Sequence, residues 1–183
     1  MFNIRTYLGS CLILLSSCSI VYYRLGSDRI EWDQDSYDFA NEFFMGTIDL
    51  DKVNLRYSGW DDYHGGCYTV NNDIYFNPSI DFENDPLGPR DTLVHELLHI
   101  WQNQNFAWYA FEDSDYHYNL LPEKHLTEYG VEEQAAIIQD YYKWTYEGYV
   151  TCGRSLDLEY CNGGDLEYIM QIAEKRYLEL QDI

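Results

Sequence analysis

The amino-acid sequence predicts an α+β domain, an N-terminal helix and antiparallel strands followed by three helices. Two patterns carry that prediction. Apolar residues alternate through "TIDLDKVNLRY" (47–57) and "CYTVNNDIYF" (67–76), the period of two that a half-buried strand requires. Helical spacing then dominates "TLVHELLHIWQNQ" (92–104), "VEEQAAIIQDYY" (131–142) and the C-terminal stretch from Leu166. At 183 residues the chain can hold one domain with a real core, and it is short for two.

The elements follow in order. "SYDFANEFFMG" (36–46) carries Tyr37, Phe39, Ala40, Phe43 and Phe44 close to helical spacing and stops at Gly46. The stretch 47–57 reads as a strand with a kink near Asp51. Residues 67–70 and 73–76 read as an antiparallel hairpin turned by Asn71-Asn72 and stopped by Pro78. An acidic loop leads to the central helix, where Pro89 and Asp91 suit the first turn. That helix extends to about Asn103. A loop rich in Tyr, Asp and His separates it from a second long helix over 131–146. The last helix would turn Leu166, Ile169, Met170, Ile172, Ala173 and Tyr177 inward.

Composition excludes some partners. The formal net charge is −21, from 32 acidic and 11 basic residues, yet 17% of residues are aromatic. A disordered acidic chain lacks such aromatics, so the charge belongs to a folded surface. Nucleic acid is excluded as a partner because no Lys/Arg patch is present to meet its phosphates.

The central helix holds the chemistry. "HELLH" (95–99) places His95 and His99 four residues apart, on one face and one turn from each other. Both can offer a ring nitrogen to one ion. Glu96 lies about 100° further round, too far to ligate comfortably but near enough to take a proton from water that the ion acidifies. Val94, Leu97, Leu98, Ile100 and Trp101 make the rest of the helix apolar, so these three polar side chains would be buried. Buried carboxylates need a partner, and a zinc site explains all three residues at once. An ordinary buried helix with two satisfied histidines would have to explain each separately.

A catalytic zinc takes three protein ligands and keeps an open position. Candidates for the third are Glu132, Glu133, His117 and His125, all downstream. Ala135 and Ala136 are small enough to let the second helix approach the first. A donor for a developing oxyanion is also needed. "SDYHYN" offers Tyr116, His117 and Tyr118, with His117 taken as the candidate, and Tyr129 lies close to the ligand helix. The strand "DIYF" (73–76) is a candidate edge for pairing with an extended peptide. Asp140 is read as a solvated side chain or, in second place, as support for the ligands.

H-E-x-x-H followed by a helix-borne glutamate resembles the gluzincin branch of zinc metallopeptidases. "HELLHIWQNQ" with "EEQAAIIQDYY" more narrowly resembles small bacterial H-E-x-x-H-x-W-Q proteins of families related to the secretion-system proteins Rhs and Vgr. The resemblance implies a small zincin-like domain over 36–183, with Zn²⁺ held by His95, His99 and Glu132 and Glu96 as general base. Gluzincins often follow the ligand glutamate with an aspartate. Here Ala136 stands in that place, and the support of the ligands must come from elsewhere.

The N-terminus differs from the remainder. An apolar run follows Arg5, and no acidic residue occurs before Asp28. "LSSC" (15–18) resembles the bacterial lipobox, which implies removal of 1–17, lipidation of Cys18, a linker over 18–35 and an exported protein held in the cell envelope, at the outer membrane facing the periplasm. An uncleaved anchor and a plain cleaved signal are the other readings. In an oxidising compartment Cys152 and Cys161 can close a small loop, which leaves Cys67 over. The sequence thus predicts a zinc-dependent hydrolase acting on peptide, protein or peptidoglycan peptide. A non-catalytic zinc lipoprotein and a secretion-linked accessory or effector protein stand beside it.

Overall fold

The computed structural model describes residues 29–58, 67–77, 90–106, 116–148 and 166–182. The expected signal, Cys18, Cys152 and Cys161 lie outside them. The fold is α+β, and the described residues form four α-helices and one four-stranded sheet.

A short strand, β1 (Arg29–Ile30), leads into α1 (Gln34–Phe43). The Asp33 carboxylate caps that helix by accepting from the Ser36 N–H at 2.8 Å. Met45 and Gly46, both at positive φ, carry the chain out of the helix, as the glycine at 46 foretells. Beyond it the expected strand is only half present. Residues 50–52 form a 3₁₀ turn, and only β2 (Asn54–Tyr57) is extended. Ile48 and Leu50 are buried even so. Their alternation marked burial, which a bend at Ile48 and the 3₁₀ turn at Leu50 achieve without a strand.

β3 (Tyr68–Val70) and β4 (Asp73–Phe76) form the expected antiparallel hairpin, with Asn71 at φ 56°. Asparagine tolerates that left-handed conformation better than most residues. The sheet order is β1-β2-β4-β3, and β4 pairs with β2 in parallel. Two expectations are thereby corrected. The sheet is mixed rather than antiparallel. "DIYF" is an inner strand buried along its whole length, and the edge belongs to β3. Ile74 and Phe76 on one face and Asp73 and Tyr75 on the other are all buried, the mark of a strand covered on both sides.

α2 (Arg90–Asn105) follows, and nine consecutive or near-consecutive residues from Leu93 to Gln102 are buried. Its C-terminal end is tied to the hairpin, where Asn103 Nδ2 donates to the Asn71 carbonyl at 3.1 Å, and to the residue before the 3₁₀ turn, where Gln104 Nε2 donates to the Asp49 carbonyl at 3.2 Å. α3 (Val131–Tyr142) packs against α2 more extensively than any other pair of elements. Ala135 and Ala136, both buried, permit that approach. A π-helical turn, Lys143–Glu147, prolongs α3 close to its expected end at 146.

α4 (Leu166–Leu178) packs on α3. Ile169, Ile172 and Ala173 face inward as expected, but Leu166 is 44% exposed and Arg176 is buried. Arg176 Nη1 reaches Glu179 Oε1 at 2.6 Å and its Nη2 donates to the Pro122 carbonyl at 3.1 Å. Glu179 Oε2 in turn accepts from the Leu126 N–H at 2.7 Å. This buried ion pair fastens the end of α4 to the loop that precedes α3. Among the described residues no helix is long and apolar enough to cross a membrane.

Candidate metal centre

α2 contributes His95, Glu96 and His99, and the first turn of α3 contributes Glu132. The two helices bring the three ligand candidates together. Glu132 Oε2 lies 3.2 Å from His95 Nε2 and 3.4 Å from His99 Nε2. One ligand atom from each of the three falls within 4.8 Å of the others, and no other such group of His, Cys, Asp or Glu occurs among the described residues. The imidazole rings stand edge to face, with centroids 5.0 Å apart.

The donor set fits a zinc-type ion. Two imidazole nitrogens and one carboxylate oxygen converge from two helices, which is the ligand chemistry of an open catalytic site. Electrostatics agree. Burial opposes ionisation of Glu132, but the contacts from His95 and His99 outweigh it and hold the carboxyl well below the usual carboxylate range. Burial likewise opposes a charge on His99, while Glu132 and the nearby Glu96 outweigh it and raise the imidazole pKa. The pocket between these side chains therefore favours positive charge.

Other sequence candidates fall elsewhere. Glu133 turns back to cap its own helix, accepting from the Gly130 N–H at 2.7 Å. His125 caps the 3₁₀ turn Leu126–Glu128, with Nδ1 2.9 Å from Thr127 Oγ1 and Nε2 3.7 Å from Glu179. His117 is exposed and stands outside the group of three. Its neighbour Tyr116 is the aromatic that meets the site: its ring stacks on His95 at a centroid distance of 5.8 Å. Asp140, expected to be solvated, is buried and accepts a hydrogen bond from Tyr118 Oη at 2.8 Å. That bond lies two residues from Tyr116 and pins its segment to α3. Burial pushes the Cys67 thiol up to about 12, so it is not a reactive thiolate near neutrality.

Two partners of the site were given no role from the sequence, although Gln102 closes the H-E-x-x-H-x-W-Q string. Thr69, on the edge strand β3, donates from Oγ1 to Glu96 Oε2 at 2.7 Å. Gln102, one turn beyond His99, places Oε1 2.9 Å from His99 Nδ1. Its spacing from His99 was the available signal, because residues three apart share a helix face. Thr69 carried none, since nothing local pairs a strand threonine with a helix 27 residues on. Thr69→Val is expected to cost about 1.5–3 kcal/mol by leaving a buried carboxylate short of a donor. A denaturant midpoint restored by Thr69→Ser would check it.

Comparison with known proteins gives one partial likeness. The chain is similar to the type VI secretion system spike protein VgrG2b of Pseudomonas aeruginosa, 28% identical over an alignment of 120 residues that covers 56% of this chain. The chain spans 12% of that protein's length. No protein-family model matches the chain, and no solved structure matches it. What is shown is an α+β protein with a His-His-Glu group of metal-ligand geometry and a likeness to a Vgr protein.

Proposed function

We propose that the chain is a zinc-dependent hydrolase of the gluzincin type, cleaving amide bonds in peptides. The observation that carries this reading is the convergence of His95, His99 and Glu132, with Glu96 buried beside them and tethered by Thr69. A purely structural zinc site takes four protein ligands and has no use for an adjacent carboxylate base. When bound, zinc supplies Lewis acidity that polarises a carbonyl and acidifies water.

The chain's own residues then have distinct roles. Glu96 accepts the proton of the attacking water and passes it to the leaving amine. Thr69 keeps one carboxylate oxygen of Glu96 fixed and so restrains the rotation of the base. Tyr116, 45% exposed and stacked on His95, borders the site and is a candidate oxyanion donor beside His117. The test is a quenched fluorescent peptide library with zinc-loaded protein, beside a chelated sample and Glu96→Gln. Cleavage lost in both controls supports the reading. Absence of cleavage by protein holding one zinc per chain would instead favour a non-catalytic zinc protein.

The likeness to a secretion-system spike protein supports a second reading, a hydrolytic module associated with such machinery. The N-terminal sequence supports export and lipidation at Cys18. Labelling with a palmitate analogue distinguishes the two settings: label lost in Cys18→Ala is expected for an envelope lipoprotein.

A further inference from the structure

We propose that Gln102 is a positioning residue of the metal centre, fixing His99 with Nε2 free for a cation and tying the histidine helix to the glutamate helix. The proposal rests on the zinc reading for the cation and on geometry for the rest.

Gln102 is 1% exposed and makes three polar contacts. Its Nε2 lies 3.1 Å from the Val131 carbonyl oxygen and 3.1 Å from Gln134 Oε1. A backbone carbonyl can only accept, so the amide must present NH₂ to Val131. Gln134 is oriented independently, because its own Nε2 donates to the Tyr129 carbonyl at 2.7 Å and leaves Oε1 as the acceptor. Two contacts thus agree on the orientation of the Gln102 amide. Its Oε1 then faces His99 Nδ1 at 2.9 Å, and that nitrogen must carry a proton.

The consequence falls on the other ring nitrogen. With Nδ1 committed to Gln102, Nε2 is the His99 nitrogen turned toward Glu132, 3.4 Å from its Oε2, and it is the one that offers a lone pair when the ring is neutral. A proton on Nε2 or a metal ion in its place can join the two groups, and either is held at the same nitrogen. The same glutamine that sets the tautomer also holds the backbone beside Glu132, since Val131 immediately precedes it. A carboxylate at position 102 would orient the histidine but would face two acceptor oxygens on the other side. Glutamine meets both needs and answers the missing aspartate at Ala136.

The test uses the whole chain, with zinc affinity measured by competition against a chromophoric chelator and folding stability measured in metal-free protein. Gln102→Leu is expected to weaken zinc binding by about 10–100-fold. Gln102→Glu keeps an acceptor for Nδ1–H and is expected to recover most of that affinity while remaining less stable than wild type. A merely structural role would make affinity follow stability in both variants, which would overturn the proposal. So would undiminished zinc affinity in Gln102→Leu. A second readout needs no variant to fold: metal-free wild type should show a His99 Nδ1 proton protected from exchange in its nitrogen-correlated NMR spectrum, and an unprotonated Nδ1 would overturn the tautomer assignment. Wild type that takes up no zinc, with that proton in place, overturns the metal reading and not the Gln102 contact.

Discussion

Glu96→Gln is expected to lower kcat by about 10²–10⁴-fold, the range for loss of a positioned general base, while zinc content stays at the wild-type level. Glutamine matches glutamate in shape, can still accept from Thr69 and remains buried on the same helix. What it lacks is basicity. Because Glu96 is outside the group His95, His99 and Glu132, its replacement should leave metal affinity within the scatter of wild type. Steady-state kinetics on any peptide found by library screening, with metal content determined on the same preparation, checks both halves. Equal kcat for wild type and Glu96→Gln would remove Glu96 from the reaction. Loss of zinc together with activity would make it a ligand instead.

The second large effect is on stability. Glu179→Ala is expected to cost about 3–5 kcal/mol, because it leaves Arg176 charged and buried without its partner. Glu179 also accepts from the Leu126 N–H, so the same change orphans a backbone donor in the loop before α3. Against a total stability of about 5–15 kcal/mol for a domain, this is a substantial fraction. The melting temperature should fall by roughly 10 °C, taking about 2–4 °C per kcal/mol for a chain of this size. The double replacement Arg176→Met with Glu179→Leu should recover much of the loss, since an apolar pair of similar volume removes the unpaired charge. Calorimetry of wild type and the two variants decides it; a Glu179→Ala variant as stable as wild type would show that the pair does not fasten the loop.

Much of the site was legible because its chemistry is local. The spacing of His95 and His99 fixes a shared helix face, and Glu96 follows from adjacency alone. The hairpin was legible for the same reason, with Asn71 and Asn72 naming its turn. Choosing Glu132 over Glu133 needed the family likeness, and geometry gives the reason: Glu133 is used by its own helix N-terminus. What stayed hidden depends on distant partners. Alternation identifies β2 and β4 as strands but says nothing of which edge pairs with which, so the parallel pairing and the inner place of β4 were missed. Asp140 was read as solvated because charge usually is, and Arg176 was not among the residues expected on the inward face of α4. Their burial follows from Glu179 and Tyr118, which reach them only once the chain is folded. Ile48 and Leu50 show the converse, burial read correctly and conformation not.

The central claim is that His95, His99 and Glu132 hold a metal ion, and metal content tests it most directly. The chain would be purified without chelator or affinity metal, and zinc per chain determined for wild type, His95→Ala and Glu132→Ala. About one zinc per chain is predicted for wild type, as a three-ligand site of this donor set requires, with loss in both variants. Zinc retained in Glu132→Ala would contradict the assignment of the third ligand. Folded wild type that takes up no zinc, even when zinc is added back, would contradict the site itself.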